Sequence, residues 1–222
     1  MSQRHLSCYH DYKLLRSTAD SEFDGSVRAL AKATLNLYRA CRKEVDFCLA
    51  LLTHELTARE LDTASLWRGN SFFTGCIETM IRSSCKPFLV LSLKELVTEM
   101  STLKSERKVD EFVQQALCSM NNTADLFPKE ARLILSALRQ QVTQKWPGQP
   151  HLALRVVANF LFLRFISAAI TSPVQHGLCQ QQPTAAGQKT LTKVGSDVTE
   201  QHLALSWVNN APLYDYASFT IY

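Results

Sequence analysis

Two arginines in this sequence occupy positions that ordinary surface arginines do not. Arg164 lies inside FLFLRFISAAI, a stretch apolar almost all the way round a helix, where an unpaired guanidinium is very costly. It must reach the helix's one polar outlet or find a hydrogen-bonding partner, and so it reads as a brace. Arg68 lies in DTASLWRGNS, a polar segment between helical stripes. There Gly69 gives the backbone latitude for a turn, and Asn70 or Ser71 can cap the helix that comes next. That presents an arginine on an exposed loop beside a helix start. Other chemistry is scarce. His54-Glu55 begins like HExxH but the fifth position is Ala58, and there is no glycine-rich phosphate loop and no GxSxG. The six histidines are dispersed, so neither a metal site nor a hydrolase triad is expected.

The elements that must hold these residues read as helices. No proline occurs before Pro87 and the chain has only seven glycines, which permits long uninterrupted helices where a β protein would need frequent turns. Val27, Leu30, Thr34 and Leu37 share one helical face, as do Val45, Cys48, Leu49, Leu52 and Leu56. Val109, Phe112, Val113, Ala116, Leu117 and Met120 form a third stripe. A further helix is expected to open at Pro128 and run to Trp146, before Pro147-Gly148. Leu152 to Ile170 is apolar nearly all round, the mark of a central buried helix. From Cys179 the glutamine-rich string CQQQPTAAGQ changes the character, and the remainder of the chain has no sustained helical period. The expected organisation is all-α, with an N-terminal extension or first helix over 1–25, a helical domain over 26–178, and a divergent, partly disordered tail over 179–222.

With 46% hydrophobic residues in 222, the chain can bury one sizeable core. A net charge of +4 is too mild and too evenly spread to argue for nucleic acid or an anionic membrane. The start, MSQRHLSCYH, lacks a secretory pattern, and the longest apolar run, Val156 to Leu163, is broken by Asn159 and is too short to span a bilayer. Seven scattered cysteines with no CxxC pair suit a reducing compartment, and the cytosol is expected.

LWRGNSFFTGCIETMI resembles the finger-loop motif LFRGNSLA of Ras GTPase-activating domains, and FLFLRFISAAITSP resembles their second hallmark, FLFLRFxxPAIxSP, in the family's order. TADLFPKEARLILSALRQQVTQKWP and VRALAKATLNLYRACRKEVDFCLALLTHEL are similar to the family's flanking stretches, so the resemblance covers about residues 26 to 178. It implies an activator of a Ras-family small GTPase in its GTP-bound form. Arg68 would be the arginine finger entered in trans into the partner's nucleotide site, and Arg164 would hold the finger loop through its backbone carbonyls. Leu163 would line the groove that receives the GTPase switch regions, Asn70 would support the loop's turn, and Lys94, in LSLKEL, would face the partner. No cofactor of its own is implied, because GTP and Mg are bound by the GTPase. Recruitment to the inner face of the plasma membrane would come through other domains.

The sequence departs from that pattern in several places, among them the absence of an acidic-proline insert expected after the Met100 region. Phe72-Phe73 stands where the family has leucine-alanine, and Ala168 replaces the proline of the second hallmark. After SP, only Lys189-Thr190-Leu191-Thr192-Lys193 resembles the opening of the family's next helix. The domain therefore reads as incomplete at its C-terminal end, with a core face near residues 152 to 170 expected to lie uncovered. The alternative function is a module that binds a GTPase without activating it.

Overall fold

The computed structural model describes residues 26–58, 61–63, 66–67, 69–105 and 108–200. The readings made for 1–25 and 201–222 lie outside the described residues. In chain order the helices are α1 (Ser26–Ala40), α2 (Glu44–Ala58), α3 (Phe72–Ser84), α4 (Lys86–Ser101), α5 (Val109–Asn122), a single 3-10 turn (Ala124–Leu126), α6 (Lys129–Lys145), α7 (Pro150–Thr171) and α8 (Ala185–Asp197). Among the described residues there is no strand, so the all-helical expectation holds.

The periodic stripes face one shared core. Phe47, Cys48, Leu52 and Leu56 of α2 are buried, as are Phe112, Val113, Ala116 and Met120 of α5. On α1 the inward face centres on Ala31 and Leu35, and Leu37, read as part of that stripe, is 64% exposed. Cys48, Cys76 and Cys85 behave as small hydrophobes. Burial, with Glu44 adding and Arg39 opposing, pushes the Cys48 thiol up to about 12, and burial likewise raises Cys76 and Cys85.

Two helices are central. α3 is buried continuously from Phe72 to Glu78 and packs on α1, α2, α6 and α7. α7 runs 22 residues, about 33 Å at the α-helical rise, and is long and apolar enough to cross a membrane by length and composition. The run judged too short in sequence is thus extended by its flanks, and core packing accounts for its character, since 61% of its most apolar stretch is buried inside the fold. From Asn159 to Ile166 this helix is π-helical, with i→i+5 turns wider than those of an α-helix. Ala168 lets it run on to Thr171, where a proline would disrupt the helical hydrogen bonding.

The boundary expected near Leu178 is not a structural one. Thr184 caps α8 by accepting from the Gly187 amide at 3.0 Å, and its own hydroxyl donates to the Leu103 carbonyl at 2.5 Å. Leu191 and Val194 of α8, and Val198 just beyond it, are fully buried, and the helix packs on α4, α5 and the C-terminal end of α7. It supplies cover where an exposed core face was expected. Its apolar period is short, and two of its inward positions are glycines, which is why composition disguised it.

Candidate functional site

The candidate site forms where the chain leaves α2 and enters α3. Leu66 and Trp67 anchor this connection in the core at 4% and 8% exposure. Trp67 takes a left-handed backbone conformation, φ 53°, which for a bulky residue costs roughly 1–2 kcal/mol. Its indole offsets that cost by packing 4.9 Å from the Phe73 ring and 6.2 Å from Phe160, with Phe73 edge-on to Phe160 at 6.1 Å. Phe73 and Phe72, which differ from the resembled motif, are both buried under the loop.

The chain then turns into α3. Of the two residues able to cap this helix, Ser71 does so: its hydroxyl accepts from the Thr74 amide at 3.1 Å, and Thr74 Oγ1 accepts from the Ser71 amide at 2.8 Å. Thr74 Oγ1 also donates to the Gly69 carbonyl at 3.2 Å. The loop's exit is thereby tied to the first turn of α3.

Arg164 projects from the π-helical stretch of α7 toward the same loop. Its Nη2 donates to the Gly69 carbonyl at 2.6 Å and the Trp67 carbonyl at 3.2 Å, and its Nη1 lies 3.4 Å from Asn70 Oδ1. Nη1 is also 3.5 Å from the Glu78 carboxylate. Burial pulls the guanidinium below the usual arginine pKa, Glu78 opposes and Arg28 adds to the fall, yet an arginine stays charged. Glu78, 8% exposed, further meets Arg82 at 2.9 Å and Arg28 at 3.7 Å. One buried carboxylate thus faces three guanidiniums, which leaves a local surplus of positive charge.

Arg68 lies outside the described residues, between the Trp67 and Gly69 carbonyls that Arg164 holds. Asn70 is exposed and sits in the same cluster. Leu163, next to Arg164, is 47% exposed beside the buried Leu161 and Phe162. Lys94 is exposed on α4, which packs chiefly on α5 and α8. Among the described residues no group of histidine, cysteine and acidic side chains could hold a metal.

Two participants escaped the sequence reading. Glu78 stands in the buried stripe of α3, where a lone acid was the available signal. Arg155, on α7, donates from Nη2 to the Thr63 carbonyl at 2.7 Å.

Comparison with known proteins reaches part of this site: the stretch matched to a family takes in Arg164 but not the loop between α2 and α3. The family model described as GTPase-activator protein for Ras-like GTPase matches residues 102–198. It therefore includes Arg164 and α8 and extends past the expected boundary. The chain is 25% identical over 174 residues to Ras GTPase-activating protein 2 of Homo sapiens, covering 70% of this chain and 20% of that protein. It is 26% identical over 179 residues to Ras GTPase-activating protein 1 of Bos taurus (70% and 17%). With Disabled homolog 2-interacting protein of Rattus norvegicus it shares 24% identity over 182 residues (74% and 18%). The chain thus spans about a fifth of the length of these curated relatives.

Proposed function

We propose, starting from the match of residues 102–198 to the GTPase-activator proteins for Ras-like GTPases and from relatives at 24–26% identity, that this domain speeds GTP hydrolysis by a GTP-bound Ras-like partner with Arg68 as the catalytic arginine. Phosphoryl transfer to water spreads developing charge over phosphate oxygens. A guanidinium is permanently charged, and its planar fork can bridge two such oxygens. Supplied in trans, it accelerates hydrolysis about a thousand- to a hundred-thousand-fold, a range established for activators acting on Ras rather than for this chain.

The observation that carries the reading is the grip of Arg164 on the carbonyls of Trp67 and Gly69, the two residues on either side of Arg68 in the chain. A finger delivers its charge usefully only if its backbone is already ordered. Fixing each loop residue costs roughly 1–2 kcal/mol, and hydrogen bonds from a charged donor return about 1.5–3 kcal/mol each. In this reading Arg164 supports the finger, Asn70 supports the turn of its loop at the partner-facing surface, Leu163 lines the groove that receives the partner's switch regions, and Lys94 contacts the partner from α4. GTP and Mg belong to the partner. The protein works in the cytoplasm and is brought to the inner face of the plasma membrane through domains other than this one.

Mixing the protein with GTP-loaded Ras should raise phosphate release, and Arg68→Ala should remove at least about a hundredfold of that gain while binding changes little. The absence of any stimulation at saturating protein overturns the proposal. Binding without acceleration, indifferent to Arg68→Ala, is the signature of the alternative, a GTPase-binding module that does not activate.

A further inference from the structure

Arg164 grips the part of the loop next to α3, and a different cation grips the part next to α2. Arg155 Nη2 donates to the Thr63 carbonyl at 2.7 Å. Lys145, at the end of α6, donates to the Leu56 carbonyl in the last turn of α2. The connection between α2 and α3 is therefore held at Thr63 by Arg155 and at Trp67 and Gly69 by Arg164, both from α7, while Lys145 of α6 holds the end of α2 from which it departs.

The helix geometry explains how two of them can serve one loop. Arg155 and Arg164 are nine residues apart, which in an uninterrupted α-helix is about two and a half turns and puts side chains on opposite faces. The π-helical stretch Asn159–Ile166 begins between them and contains Arg164, and its i→i+5 turns take more residues each. The extra residues per turn rotate Arg164 back toward the side from which Arg155 emerges, and both guanidiniums reach the same connection.

We infer that Arg155 is a positioning residue for the proposed finger, fixing the α2 side of the loop as Arg164 fixes the α3 side. The inference rests on Arg68 being that finger. A loop pinned only near Gly69 can still pivot about that point. A second attachment at Thr63, five residues before Arg68, removes the pivot and sets the direction in which the finger is presented. The bond contributes to presentation and not to the partner's surface, so its loss should lower the maximal rate and leave affinity for the GTPase largely alone.

The test uses the whole chain with Arg155→Met, which keeps the apolar stem and loses every donor, and Arg155→Lys, which restores one charged donor. In the free protein, amide hydrogen exchange across residues 61–71 should quicken in Arg155→Met and return partway in Arg155→Lys, while α5 is unchanged. Unchanged exchange in the loop overturns the inference whatever the protein does to a GTPase. In single-turnover GTP hydrolysis, Arg155→Met should cut the maximal rate by about ten- to a hundredfold at little cost in apparent affinity. In an Arg68→Ala background the same substitution should change nothing further. Equal losses with and without Arg68 would show a merely structural role and end the inference. Arg132→Met is the control for general stability. Its guanidinium donates to the Phe127, Ala124 and Asp125 carbonyls at the opposite end of α6, and its loss should leave both readouts alone. Failure of the underlying reading looks different: the wild-type protein would give no acceleration while the exchange effect persisted.

Discussion

At Glu78 one carboxylate serves three arginines, and its value lies in which of them it orients. Arg28 and Arg82 keep 67% and 39% of their side chains exposed, so water already screens them, while Arg164 keeps only 10%. Replacing the carboxylate by an amide of equal shape leaves the Arg164 charge facing two like charges with its acceptor weakened. Glu78→Gln should therefore destabilise the protein by about 1–3 kcal/mol, below the range for breaking a fully buried pair because two partners are solvated. Urea denaturation measures that loss, and a midpoint equal to that of the wild type would refute the role given to Glu78. At this scale the sequence is legible where a motif or an energetic penalty marks a residue. Arg164 is visible because a charge in FLFLRFISAAI demands a partner, and Asn70 is visible from the turn. Glu78 and Arg155 are not, since a lone charged residue on an apolar stripe does not say which distant carbonyl or guanidinium it will meet.

At the scale of elements, the join between α8 and the body depends on two glycines eight residues apart. A Cβ on Gly187 would come within 2.6 Å of the Met100 carbonyl oxygen and 2.7 Å of that of Ser101, and one on Gly195 within 2.6 Å of the Thr171 methyl. The first contact is with backbone, which cannot swing aside as a flexible side chain can. Alanine favours a helix by about 1 kcal/mol over glycine, but forcing α8 off α4 costs more, as overpacking typically does at about 1–3 kcal/mol. Gly187→Ala should accordingly lower the melting temperature by a few degrees, at roughly 2–4 °C per kcal/mol for a domain of this size. Gly148→Ala, with open space around the new carbon, should barely move it. Equal melting of Gly187→Ala and wild type would mean that α8 is not seated as described. The same glycines explain why this helix was hidden in sequence, because in AAGQKTLTKVGSD they look like interruptions and leave few large apolar residues to show the period. The stripes of α2 and α5, carried by large side chains, were readable. The π-helical stretch of α7 was not, since its neighbours are apolar on every face and no pattern distinguishes its wider turn.

Across the whole molecule, the segment between α7 and α8 links the helix bearing Arg164 to the one that closes the fold, and His176 lies within it. Its Nδ1 is 3.0 Å from the Ser172 carbonyl, while Nε2 is buried with no hydrogen-bond partner. With Nδ1–H donating to that carbonyl, the neutral ring leaves only a lone pair unsatisfied. A proton on Nε2 would instead bury an unpaired donor on a charged ring. Burial therefore lowers the His176 pKa. The Ser172 bond and the Glu78 charge resist, and Arg82 adds to the fall. The unfolded chain, with histidine near its ordinary 6.5, then takes up a proton more readily than the folded one. By linkage this stabilisation is complete above pH 6.5 and is lost as pH falls from there toward the lower folded value. Thermal melting monitored between pH 7.5 and 5 should show stability declining below about 6.5. His176→Gln, which cannot titrate, should flatten that part of the profile relative to the wild type. If the two proteins lose stability in parallel over this interval, the decline belongs to other groups and His176 is not its source.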